Sequence, residues 1–107
     1  MKCKLYYSDD VRRDMDEIWD YIMIELCNPS AAEKVVNQIM DKIEQLAEFP
    51  NRGALVSTVA SAINDYRFLV SGHYLIFYRV EGNDVYIDRV LYERRDYLRI
   101  LFGTPKV

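Results

Sequence analysis

The run Tyr74-Leu75-Ile76-Phe77-Tyr78-Arg79-Val80 is apolar or aromatic at every position but Arg79. A strand of this kind is apolar on both faces, so it belongs inside a sheet and needs cover on both sides. Residues 66–70 and 85–92 share its aromatic and β-branched character and its period of two. Ser71-Gly72-His73 and Glu81-Gly82-Asn83-Asp84 join the three segments. Both connections are short and contain glycine, which makes the three strands an antiparallel meander. One face must be covered by the rest of the chain. The other calls for the C-terminal tail, a second subunit or a partner segment.

The cover precedes the meander. Residues 2–7 alternate enough to predict a first strand, and Ser8 offers an N-cap with Asp9 and Asp10 placed to complement the helix dipole. Val11, Met15, Ile18, Trp19, Ile22 and Leu26 then recur at helical spacing, with Trp19 expected in the core. The opposite face pairs Arg12 with Asp16 and Arg13 with Glu17, as a solvated surface does. Asn28-Pro29 ends this helix. Ser30-Ala31-Ala32-Glu33 reads as a capping box for a second helix, whose stripe is Ala32, Val35, Val36, Ile39, Ile43, Leu46 and Ala47. So short a connection makes the helices antiparallel, an αα-hairpin with both stripes on one side. Phe49-Pro50-Asn51-Arg52-Gly53 stops it, residues 54–64 have no clean period, and residues 93–102 form a tail with one or two helical turns.

A chain of 107 residues has room for one domain, residues 1–107, and one core. No apolar run reaches membrane-spanning length, and the N-terminus turns acidic before a signal-peptide apolar region forms, so a cytoplasmic protein is expected. Cys3 and Cys27 lack metal-site spacing and form no disulfide framework; they read as core or boundary residues. Neither a metal nor a cofactor is called for. Residues 1–60 hold 7 basic and 11 acidic side chains, a net −4, while residues 61–107 hold 7 and 6, a net +1. Proteins that wrap bare nucleic acid carry a strong basic excess, so any nucleic-acid contact here is local or secondary to a protein contact.

Several blocks run in a recognisable order along the chain. They are Lys4-Leu5 with Ser8; Trp19-Asp20-Tyr21-Ile22; Pro29-x-Ala31-Ala32; Leu46-x-x-Phe49-Pro50-x-x-Gly53; and Tyr66-Arg67. Gly72-His73-Tyr74 through Val80 and Arg89-Val90-Leu91-Tyr92-x-x-Arg95-Asp96 follow. In combination they resemble the RelE/ParE superfamily of type II toxin–antitoxin toxins, the plasmid stabilisation type. The resemblance implies an α+β fold of order β-α-α-β-β-β, with an αα-hairpin packed on an antiparallel sheet and a short C-terminal helical tail. It also implies a cognate antitoxin that folds onto the open sheet as a helix or added strand. A homodimer or a heterotetramer with the antitoxin is the assembly it allows.

Two branches of the superfamily differ in target. The RelE branch resembles ribosome-dependent ribonucleases, which need basic groups at the scissile phosphate and acid/base groups beside it. Of its pattern Arg67 matches the first-strand basic position. Leu75 stands where that branch places an arginine, Glu93 where it places a basic residue or histidine, and Arg99 near its tail tyrosine. The run Arg89 to Asp96 looks like the ParE branch, inhibitors of DNA gyrase that need no catalytic set, although Tyr92 often corresponds to histidine there. The expectation is therefore a gyrase-binding toxin with no catalytic residues. An mRNA interferase acting on ribosome-bound mRNA is the alternative, and a degenerate toxin that binds only antitoxin is a third reading. Arg67, Arg79, Arg89, Arg94, Arg95 and Arg99 are the candidates for macromolecule binding, with His73 and Tyr92 as weaker ones. Two readings stand for Arg67, Arg79 and Arg89: anchors for an antitoxin, or ion pairs with Asp65, Glu81 or Asp88. His73 lacks an evident orienting carboxylate in the sequence and reads first as a turn residue.

Overall fold

The computed structural model describes residues 2–55 and 66–94. Strand β1, Lys4–Tyr7, leads straight into helix α1, Asp9–Asp20. Ser8 caps the helix as expected: its Oγ accepts the Val11 amide at 2.9 Å. The helix then widens into a π-helical turn, Tyr21–Glu25, closed by the Leu26 amide on the Tyr21 carbonyl at 3.2 Å. Cys27 follows with φ of 50°, a left-handed stop that a non-glycine residue rarely adopts. Helix α2, Pro29–Gln45, starts at once. Its cap is Asn28 and not Ser30: Asn28 Oδ1 accepts the Ala31 amide, and Ser30 Oγ donates to the same oxygen, each at 3.2 Å. Pro29 fits the first helical position because the amide it lacks would be unpaired there anyway.

The buried stripe of α1 is Val11 and Ile18, continued by Ile22, while α2 contributes Ala32, Ile39 and Ile43. Trp19 does not join them; it is 37% exposed. It lies one residue, about 100°, from Ile18, and the Val11–Ile18–Ile22 row already fills the space over the sheet. Leu26 also leaves the core, at 56% exposure. The π-helical turn inserts one residue into the repeat, so the phase that would have turned Leu26 inward is lost. The helix surface pairs differently from expectation as well: Arg13 meets Asp10, which leaves Glu17 unpaired among the described residues.

Strands β2 (Ala54–Leu55), β3 (Arg67–Ser71), β4 (Tyr74–Glu81) and β5 (Asp84–Tyr92) complete a five-stranded sheet of order β1-β5-β4-β3-β2. The meander β3–β4–β5 is antiparallel as read from the sequence, and β1 adds to β5 in parallel, so the sheet is mixed. The short β2 falls where the sequence had no period. Gly72 and Gly82 hold φ of 60° and 62° at the first position of their two-residue turns, a conformation that suits glycine. The expected helical tail lies outside the described residues.

One irregularity organises the molecule. Phe77 pairs with Arg89 and Tyr78 with Ile87, which leaves Asp88 as the extra residue of a β-bulge. The bulge resets the alternation, so that Val85 and Ile87 are followed by Val90, not by Arg89, in the core. Its loosened backbone is tied to the other end of the chain. The Ser8 amide donates to the Ile87 carbonyl at 3.1 Å, Ser8 Oγ donates to the Asp88 carbonyl at 2.7 Å, and the Val90 amide donates to Asp14 Oδ2 at 3.0 Å.

Candidate functional site

An open groove of about 730 Å³ lies between the helices and one end of the sheet. Ile18, Ile22, Val35, Val90 and Leu91 give it an apolar lining, and Tyr21, Leu26 and Tyr92 stand at its exposed margins. Tyr21 and Leu26 are the two ends of the hydrogen bond that closes the π-helical turn, and they are 54% and 56% exposed. The turn that spoils the helical phase is thus what supplies one wall. π-Helical turns inside helices are often found at functional sites. At the sheet end Tyr92, 40% exposed, packs edge-on against Tyr74 at 5.7 Å between centroids and lies 6.3 Å from the His73 ring. Burial, with Tyr92 and Tyr21 nearby, raises the Tyr74 phenol above the usual tyrosine value.

The groove's polar groups are Asp14, Glu17 and His73. Asp14 is only 6% exposed and is fully engaged. Arg89 Nε reaches Asp14 Oδ2 at 2.7 Å and Nη2 reaches Oδ1 at 2.8 Å, a bidentate pair. The bond to Asp14, reinforced by Asp14, Asp10 and Glu17 as nearby charges, holds the Arg89 guanidinium above its ordinary pKa despite its burial. Asp14 was missed in the sequence. The signal was an acid at the helical spacing of Val11 and Ile18, matched by an arginine out of phase in a strand.

The arginines singled out in the sequence do not form one cluster among the described residues. Arg67 clamps the end of the helical hairpin, donating to the Gly53 carbonyl at 2.8 Å and to the Asn51 carbonyl at 3.4 Å. Arg79 pairs with Glu81 and with Asp88 at 3.4 Å, and lies 4.5 Å over the Tyr86 ring, which stacks on Tyr6. Tyr66 donates to the same Asp88 carboxylate; burial first, and that bond second, push its phenol well up. Arg89 is held by Asp14, not by Asp65, Glu81 or Asp88. Arg94 is exposed and has no partner among the described residues. Arg95 and Arg99 lie outside them. His73, by contrast, gains the carboxylate the sequence did not reveal: its Nδ1 is 2.6 Å from Glu93 Oε2, and the Glu93 amide donates to the His73 carbonyl at 2.8 Å. Among the described residues no group of three His, Cys, Asp or Glu side chains could hold a metal ion, and no helix is long and apolar enough to cross a membrane.

The fold, a helical hairpin on one face of a five-stranded mixed sheet, is similar to that of a solved chain from a toxin–antitoxin system. A chain of the "Chromosomal ParDE TA system from P. aeruginosa" matches with a TM-score of 0.71 and 25% identity, over 85% of this chain and 96% of that one. The sequence model for the ParE toxin of the type II toxin–antitoxin system parDE matches residues 5–97. The chain belongs to the ParE toxin family. No curated protein matches it. The family match runs from within β1 through both helices and the groove to past β5, so every described part of the site falls within it.

Proposed function

We propose that this ParE-family chain is a toxin that inhibits DNA gyrase by binding, and that a cognate antitoxin neutralises it by filling the groove between the helices and the sheet. The groove carries this reading. It is apolar, open and rimmed by exposed Tyr21, Leu26 and Tyr92, as a surface that awaits a partner segment is. Arg94, exposed and without a partner among the described residues, follows β5 directly, and with Arg95 and Arg99 it is the part we assign to docking on the target. Arg67, Arg79 and Arg89 support the scaffold instead. A cytoplasmic location follows from the proposed target.

A second reading is favoured by one contact. The His73–Glu93 pair is an imidazole with an orienting carboxylate, the arrangement acid/base cleavage of mRNA on the ribosome would use. Two assays on antitoxin-free protein separate the readings. Inhibited supercoiling with trapped, cleaved DNA is expected from purified gyrase. Cuts in mRNA on ribosomes stalled at a start codon, with no effect on gyrase, would refute gyrase poisoning and support the second reading. Silence in both, with no growth arrest on expression, points to a chain that keeps only antitoxin binding.

A further inference from the structure

The charge of the groove says more about its occupant than its apolarity does. Among the described residues no lysine or arginine lines it, whereas Asp14 and Glu17 do. The two carboxylates differ in what they can still do. Asp14 has both oxygens committed to Arg89 and the Val90 amide. Glu17 is exposed, one helical turn further on, and holds no ion-pair partner among the described residues, where Arg13 turns back to Asp10. Asp10, Asp14 and Glu17 are all near enough to act on the one guanidinium of Arg89, so acid is in excess there. At the sheet end the pattern repeats, with Glu93 beside a histidine that offsets it only when protonated.

We infer that the antitoxin segment filling this groove is an amphipathic one that sets apolar side chains against Ile18, Ile22 and Val90 and a lysine or arginine against Glu17. This rests on the proposed docking of an antitoxin in the groove and adds the chemistry of the segment. An acidic segment is disfavoured there: it would bring like charge to Glu17 with no basic lining residue among the described ones to answer it, and like charges across an interface suppress wrong partners. The basic residue meets Glu17 at the groove's exposed margin, where a charge pair tunes partner choice and association rate more than it adds affinity.

The test measures binding of the purified full-length antitoxin encoded with this chain to the wild type, to Glu17→Gln and to Glu17→Lys, at low and at raised salt. Circular dichroism confirms that the variants are folded; Glu17 is exposed, so no loss of fold is expected. Glu17→Lys is expected to weaken binding on the order of tenfold at low salt, Glu17→Gln by less, and salt to shrink both effects. Replacing one lysine or arginine of the antitoxin by glutamate should restore binding to Glu17→Lys. Unchanged or tighter binding of Glu17→Lys, with the wild type bound normally, overturns the inference and leaves groove docking intact. An antitoxin that binds the wild type while Ile22→Asp in the groove has no effect overturns the docking itself.

Discussion

Asp14→Ala asks whether the tie between α1 and the β5 bulge holds the groove in shape. In the folded chain Asp14 accepts three hydrogen bonds, from Arg89 Nε at 2.7 Å, Arg89 Nη2 at 2.8 Å and the Val90 amide at 3.0 Å. Truncation leaves a guanidinium whose side chain is 22% exposed without its counter-charge, and an amide in a bulge without an acceptor. Deleting one partner of a fully buried pair costs about 3–5 kcal/mol. Water reaches part of Arg89, so the low end applies to the pair, and the orphaned amide adds about 1 kcal/mol. A loss of about 3–4 kcal/mol is expected, a large part of the roughly 5–15 kcal/mol by which a domain is stable. Asp14→Asn keeps an acceptor for Val90 and loses the charge, so about half that loss is expected of it. The double change Asp14→Leu with Arg89→Leu leaves no charge unpaired and should unfold later than Asp14→Ala alone. Urea titrations followed by circular dichroism give all three values. A loss below about 1 kcal/mol for Asp14→Ala would refute the assignment, because that is the worth of an exposed ion pair.

Gly53→Ala should destabilise by about 1–3 kcal/mol, read as a lowered melting temperature. An added Cβ would lie 2.6 Å from both the Phe68 carbonyl oxygen and the Tyr78 hydroxyl, where a strand backbone leaves no room to yield. Cys27→Gly should stabilise by roughly 0.5–1 kcal/mol in the same assay, since glycine meets φ of 50° without strain and gives back part of that gain in the unfolded chain. Tyr66, Tyr74 and Tyr78 all ionise above the usual tyrosine value when folded, chiefly through burial. Their contribution to stability is therefore whole below about pH 10, where the unfolded chain begins to ionise, and is lost as pH rises through the folded values. Urea midpoints measured across that range should fall, and Tyr66→Phe should flatten the fall; an unchanged slope would contradict the placement of Tyr66 against Asp88.

The meander was legible because two signals coincide in it: a period of two, and a glycine at each tight turn. The start of α1 was legible for a similar reason, Ser8 standing before two acids and an apolar stripe. What escaped the sequence depends on partners far along the chain. The parallel pairing of β1 with β5 joins Leu5 to Val85, and nothing local encodes it. The π-helical turn has no residue signature, so the phase that points Leu26 inward on paper is one the helix does not keep. Trp19, ahead of the turn, lies at the edge of the stripe that Ile18 already fills. The bulge did leave a trace, since apolar spacing along β5 changes from two to three between Ile87 and Val90. Arg89 marked the same place as a charge out of phase, but its partner could be named only once α1 was seen to cross β5 at Asp14.

That crossing changes what the arginines can do. Arg67, Arg79 and Arg89 are each engaged by a carbonyl or carboxylate of the fold, so removing any of them perturbs the scaffold before it perturbs recognition. Polar recognition then falls to groups without an ion-pair partner among the described residues, such as Glu17 in the groove and Arg94 just past β5. Of the two only Glu17 lines the groove, so the charge preference of a segment seated there is set from the α1 side. Swapping the charge at Glu17 should therefore change which partner binds while moving the urea midpoint far less than a change at Asp14 does, since Glu17 acts on Arg89 only as a nearby charge. If the two substitutions shifted stability equally, Glu17 would be part of the α1–β5 tie, and the division between scaffold and recognition would fail.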